Sequence, residues 1–377
     1  MKRKISIPIF CCLMGVLANA CLEPFQAPSS REEVNNLVVD GFLNGTDRRC
    51  TIYLSRAEPL EAPHMRIVET GAQVFLKDEI GTSILLGESV AGTYEASDLP
   101  FNAGSKIILK ITTRDKVEFE SKTVTILKTP SIDSVTWATD QTGVPLYIYA
   151  HNTSDENGYY FWKYEETWSY TARFETAVTL DNNLNLIPLT ENMYQCWNSE
   201  KSKDILVASS TVLNDDSGIL QKFPLVTVPW ESEKLQTRYS VEIEQRAISK
   251  ETYEYLQELK KNTENLGTLF DPLPSQPVGN LKCLTYPDEL VLGNFTASTI
   301  EQKRIFISTI GLERPPGKRS VTGNESCALV EIRSRADWEL FAPVWNGTVM
   351  DPVMGTSPIC VDCRIRGGTN IKPDFWQ

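Results

Sequence analysis

Histidine is almost missing from this chain: two residues, His64 and His151, in 377. Each sits in a polar or proline-containing stretch that reads as surface loop. No His-Glu-x-x-His, Gly-x-Ser-x-Gly or phosphate-cradling glycine loop is present, so metal-assisted hydrolysis, serine-triad chemistry and nucleotide binding lack a signature. Positive charge is scarce as well, with 37 Lys and Arg against 49 Asp and Glu. No basic patch interleaved with aromatics occurs, which argues against nucleic acid as a partner. There is no apolar run of the roughly 20 residues a membrane helix needs, no internal repeat and no low-complexity tract. The sequence therefore predicts no enzyme: no catalytic residue, no cofactor and no resident metal.

What is present begins at the N-terminus. Lys2, Arg3 and Lys4 precede a short apolar stretch from Ile5 to Leu17, and the small residues Ala18 and Ala20 lead into Cys21. This is the pattern of a secretory signal over residues 1–20. A cysteine directly after the cleavage point predicts lipid attachment at Cys21; cleavage after Ala20 without lipidation is the alternative. Several acyl chains on one cysteine would anchor the protein stably, where one chain binds only marginally. Residues 21–36 carry prolines, serines and glutamates without an apolar period and read as a flexible tether.

Nine cysteines occur. Cys11 and Cys12 leave with the signal and Cys21 takes the lipid, which leaves Cys50, Cys196, Cys283, Cys327, Cys360 and Cys363. An even number in an exported chain predicts disulfides, whose pairing the sequence leaves open. Cys360-x-x-Cys363 with Cys327 also has the spacing of a zinc site, if Cys283 or Cys196 supplied a fourth thiolate. A redox pair would need a helix N-terminus at the motif, and Gly367-Gly368 nearby points to a loop.

From 37 to 128 short β-rich runs alternate with turn residues. They are 37–43 (closed by Asn44-Gly45), 50–54, 72–76, 92–96, 106–111 and 117–127. This predicts an N-terminal immunoglobulin-like or prealbumin-like β-sandwich, ending near Thr129-Pro130. Residues 129–377 read as a larger β-rich second domain whose C-terminal tail is pinned by disulfides. Its strands are expected at 160–170, 225–228, 239–245, 289–295 and 304–307. One helix is expected at about 249–264, capped by Ser249, with Glu251 in its first turn and Tyr253, Leu256 and Leu259 as its apolar stripe. The fold class is thus mainly β with one clear α-helix.

The run from 160 to 170 places Tyr160, Trp162, Tyr164, Trp168 and Tyr170, together with Glu166, on one face of a strand. Two readings follow. The rings form the core of the second domain, with Glu166 needing a buried partner or a sheet edge, or they form an exposed platform on which sugar rings stack.

Several stretches resemble one family of Bacteroidota lipoproteins, catalogued as domain of unknown function 4249. They are Leu37-Val38-Val39-Asp40-Gly41, residues 267–272, Val291 to Ser298, and the tail from Cys360 to Asn370 with Lys372-Pro373-Asp374-Phe375-Trp376. The resemblance implies an outer-membrane lipoprotein working beside a TonB-dependent, SusC-like nutrient transporter, and assigns no activity or site residue. The expected function is a non-enzymatic accessory or ligand-binding lipoprotein, taking a glycan or peptide. A structural scaffold of the envelope is the alternative, and a glycan-directed hydrolase the second alternative. Only Glu23 lies close behind Cys21, which leaves the periplasmic and cell-surface faces of the outer membrane both open.

Overall fold

The computed structural model describes residues 35–57, 67–151, 158–183, 185–210, 219–264, 277–318, 327–345 and 353–377. The signal segment, Cys21, nearly all of the tether, and His64 lie outside the described residues. In chain order the first strands are β1 (Leu37–Asn44), β2 (Arg49–Arg56), β3 (Gln73–Asp78), β4 (Ser83–Val90), β5 (Thr93–Ala96), β6 (Lys106–Thr112), β7 (Glu118–Ser121) and β8 (Val124–Thr125). Then come β9 (Ile132–Trp137), β10 (Gly143–His151), β11 (Tyr159–Thr171), β12 (Val178–Leu180), β13 (Leu186–Pro188), β14 (Gln195–Lys201), β15 (Leu206–Ser209), β16 (Ile219–Pro229) and β17 (Arg238–Ile248). Helix α1 (Lys250–Glu264) follows, then β18 (Leu281–Cys283), β19 (Leu292–Ser298), β20 (Ile300–Ser308), β21 (Val330–Glu331), α2 (Arg335–Leu340), β22 (Ala342–Val344) and β23 (Met354–Thr356). The protein is mainly β with one long helix, as expected.

The first sheet runs β18-β7-β6-β3-β4-β5-β2-β1-β19, with β8 on β6. Strand β4 turns the corner: its first half pairs with β3 and its second half with β5. The sheet thereby folds over one core, in which Leu37, Val39 and Leu43 meet Ile52, Leu54, Val74, Leu76, Ile107, Leu109 and Phe295. Alternation along each strand supplies this inner face. Two members arrive from far along the chain. Strands β18 and β19 close opposite ends of the sheet, so residues 281–298, expected in the second domain, lie in the first. The reason is burial: Phe295 and Ala297 are apolar and need the β1 side of this core. The expected strand at 117–127 is also broken in two: past Glu120 the ladder to β6 stops, and the Leu109 main-chain N–H donates to the Ser121 hydroxyl at 2.9 Å instead.

The parallel pairing of β1 with β19 explains two of the sequence stretches singled out above. Gly41 lies opposite Phe295, and a Cβ there would stand 2.7 Å from Ile52 and 3.0 Å from the Phe295 ring. Gly293 has φ +97°, and its Cβ would fall 1.9 Å from the Val39 carbonyl oxygen. Both positions need glycine, one for space and one for conformation as well.

The second core lies between a three-stranded sheet, β16-β10-β9, and a five-stranded sheet, β14-β11-β17-β20 with β15 on β11. Between the two sandwiches the chain is held at Thr129-Pro130. The Ala247 main-chain N–H donates to the Thr129 hydroxyl at 2.9 Å, and the Gln245 side chain donates to the Pro130 carbonyl at 2.7 Å. Arg246 spans the junction, its guanidinium 3.5 Å from the Phe42 ring centroid and bonded to Glu244.

Candidate functional site

The aromatic strand is core. Tyr160, Trp162, Tyr164, Trp168 and Tyr170 are at most 8% exposed, which corrects the reading of them as ligand-facing. The physical reason is the sheet β16-β10-β9 lying across that face. Trp162 stacks on Phe223 of β16 at 4.3 Å and donates its indole N–H to Gln245 at 2.9 Å. The Tyr170 hydroxyl donates to the Cys363 carbonyl at 2.9 Å.

Glu166 shares this face and has the partners a buried carboxylate requires. One oxygen accepts from the Lys234 ammonium at 2.5 Å and the other from the Tyr239 hydroxyl at 2.8 Å. Lys234 also bonds Glu200 at 3.0 Å and sits 5.1 Å from the Trp168 ring centroid. Burial, with the Glu166 carboxylate second, pushes the Tyr239 phenol well above its usual range. Both carboxylate oxygens are thus committed to a structural network.

The cysteines sort into two classes. Cys196 bonds Cys363, and Cys327 bonds Cys360. The two cysteines of the C-x-x-C motif therefore take different partners, and their thiols are spent in covalent bonds rather than on zinc. Cys50 and Cys283 are free thiols, a correction to the expectation that all six pair. Cys50 points into the core of the first sandwich on β2, and burial pushes its thiol far up, which makes it inert. Cys283, on β18, is also buried.

A concavity of about 870 Å³ lies where the two sandwiches meet, beneath α1. Ser249 starts the helix as expected, accepting from the Thr252 main-chain N–H at 3.2 Å. One wall is the helix face carrying Glu251, Glu254, Tyr255 and Lys261; the others come from Lys122 and from Asn294 on β19. Hydrogen bonds from its own main-chain N–H and the Ser249 hydroxyl hold Glu251 below the usual carboxylate range. Asn294 donates to the Thr252 hydroxyl at 3.3 Å, while its carbonyl oxygen is buried without a partner. Asn280 closes the β19 edge, donating to the Phe295 carbonyl at 2.6 Å and accepting from the Phe295 N–H at 2.9 Å. The cleft offers mixed charge and amide groups suited to a polar ligand, at a domain junction where such sites concentrate. Among the described residues no cluster of His, Cys, Asp and Glu is arranged to hold a metal ion. His151 ends β10 rather than lying in a loop. The cleft was not legible in the sequence, because its walls come from 122–127, 247–261 and 278–297.

A family model described as a domain of unknown function, DUF4249, matches residues 22–304. The chain belongs to this family. In this DUF4249 protein the matched residues include the first sandwich core, all of the second except Ile307 and Cys363, and every wall of the cleft, and end within β20, before the disulfide-bonded tail. No curated protein matches the chain. Among solved structures it is similar to the FN1–FN3 domains of chicken CNTN1, at 15% identity and a TM-score of 0.21. That likeness covers 56% of this chain and 62% of that one. The fold described above rests on strand pairing and burial alone.

Proposed function

We propose that the protein is an outer-membrane lipoprotein, anchored through Cys21, that serves as a non-enzymatic accessory to a TonB-dependent, SusC-like transporter. The observation that carries this reading is the pair of disulfides, Cys196–Cys363 and Cys327–Cys360. Such bonds persist in oxidising compartments, which agrees with the export pattern from Lys2 to Cys21. The transporter comes from the family resemblance. Burial of the aromatic strand removes the sugar platform. The cleft beneath α1 supports a second reading, in which the accessory also takes a polar glycan or peptide.

The test is capture of the tagged protein from native membranes in mild detergent. Co-recovery of a transporter in stoichiometric amount is expected; a partner-free monomer would overturn the accessory role. In parallel, Cys21→Ala is expected to move the protein from the carbonate-washed pellet to the soluble fraction. Retention in the pellet would refute the lipid anchor. Protease treatment of intact cells assigns the membrane face.

A further inference from the structure

The outer face of the five-stranded sheet, opposite the aromatic core, carries one transverse row of side chains. Trp197 on β14 lies opposite Ser169 on β11, Ser169 opposite Arg238 on β17, and Arg238 opposite Ser308 on β20. Paired residues project to the same side of a sheet. Here that side is away from the core, because the flanking residues Cys196, Tyr170, Tyr239 and Ile307 are core members.

The C-terminal tail builds a wall over this row. The Trp197 main chain donates to the Thr369 carbonyl at 2.8 Å and accepts from the Thr369 N–H at 2.9 Å. Trp376 meets Phe306 of β20 edge-on at 5.5 Å, and the Arg304 guanidinium lies 3.6 Å from the Phe375 ring centroid. The Cys196–Cys363 bond ties the start of this segment to β14. Between tail and sheet is a pocket of about 620 Å³, lined by the row together with Lys372, Trp376 and Ile310 among others. That volume is in the range of small-molecule sites.

Its polar groups are unbalanced. The Trp197 indole N–H is buried without an acceptor, on a residue only 6% exposed, and the Arg238 Nε–H is buried without one too. Arg238 Nη1 donates to the main-chain oxygen of Gln377. The hydroxyls of Ser169 and Thr237 are bonded to each other at 2.6 Å. No lining side chain is Asp or Glu, although two are Arg238 and Lys372; the oxygen of Gln377, the last residue of the sequence, partners Arg238 Nη1 but reaches neither Arg238 Nε nor the Trp197 indole. Buried donors left without acceptors are uncommon and mark a missing water, ion or ligand. Two N–H groups and an ammonium, beside Ile310 and Trp376, ask for a planar acceptor with an apolar body.

The geometry points to a binding site for a small organic carboxylate, its oxygens accepting from Trp197 Nε1 and Arg238 Nε and its apolar part resting against Ile310 and Trp376. This site is separate from the cleft beneath α1 and does not depend on the accessory reading.

The test uses the full-length, disulfide-bonded protein with ¹⁵N-labelled tryptophan, titrated with cyclohexanecarboxylate and, separately, with its neutral analogue cyclohexylmethanol. Trp197→Phe identifies the Trp197 indole resonance. The expected result is a saturable shift of that resonance with the carboxylate below about 10 mM, and none with the alcohol. Arg238→Gln is expected to weaken the effect at least tenfold. Because Arg238 also faces the Phe306 ring at 4.8 Å, Lys372→Gln on the tail provides a second variant, expected to weaken binding several-fold if the first misfolds. No saturable shift, an equal shift with the alcohol, or unchanged binding in both folded variants would overturn the proposal and leave an ordered water as the acceptor.

Discussion

Gly293 and Lys234 illustrate how single residues here are fixed by what surrounds them. At Gly293 both conformation and space exclude a side chain, since φ is +97° and the Val39 carbonyl stands where Cβ would go. Gly293→Ala is expected to cost about 2–4 kcal/mol of stability, read as a lower midpoint in urea denaturation with unchanged slope. Lys234 faces a different constraint. Removing its ammonium with Lys234→Met leaves the Glu166 carboxylate, 6% exposed, with only Tyr239 as partner. A loss of roughly 3 kcal/mol is expected, because an uncompensated buried charge is costly. The double variant Lys234→Met with Glu166→Gln should recover much of that loss. If the double variant is no more stable than the single one, the buried charge is not the source of the penalty.

Among the elements, β11 shows most clearly which information a strand carries in its sequence. Its period of two was legible, and the observed Tyr159–Thr171 differs from the expected 160–170 by one residue at each end. Whether that face met protein or solvent was not, because alternation names two faces without saying what covers either. Strand β4 left no alternating signal: Ile84-Leu85-Leu86 is a continuous apolar run although Leu85 is exposed, and only Leu86 of its eight residues is buried. The cysteine pairing was equally hidden, since Cys196 and Cys363 are 167 residues apart. That separation makes the bond the larger entropic constraint. The chain-entropy model gives it roughly 5 kcal/mol, against about 4 for Cys327–Cys360, 33 residues apart. Cys363→Ser should therefore lower the unfolding midpoint more than Cys327→Ser does.

The tyrosines of the second core add a pH prediction. Burial raises Tyr160 to about 12 and raises Tyr164 and Tyr239 as well. A phenol whose folded pKa exceeds its unfolded value of about 10 contributes stability that is complete below pH 10 and is lost as pH rises through the folded value. Stability should thus be level up to about pH 10 and fall steeply towards pH 12. Tyrosinate absorbance of these residues should appear together with unfolding. Earlier ionisation in the folded protein would contradict the burial.

The whole molecule is two sandwiches that share chain rather than two beads on a string. Position 128/129 was legible as a junction because Thr129-Pro130 interrupts the strands, yet it does not divide the cores. The two strands supplied by residues 281–298 could not be assigned from sequence, since a strand carries no mark of which distant edge it will join. The same feature predicts that a fragment of residues 35–128 lacks β18 and β19 and leaves the Val39 side of its core uncovered. It is expected to bind a hydrophobic dye and to unfold without a cooperative transition. A sharp two-state melt of that fragment would show the returning strands to be dispensable. Arg246 and the Thr129–Ala247 hydrogen bond couple the two units further, so the intact protein should melt in one transition.

The return of β19 to β1 also sets an order of events in time. As the chain emerges from its N-terminus, the first sandwich has most of its strands by Thr125 but cannot close until Ser298 is available. Almost the entire second sandwich is made, and crosses any membrane, during that wait. The unpaired edge of β1 is exposed throughout, with the aggregation hazard such edges carry. A chaperone that holds nascent β-rich chains would find its target in Leu37 to Asn44, and its dwell time would be set by the length of polypeptide separating β1 from its partner.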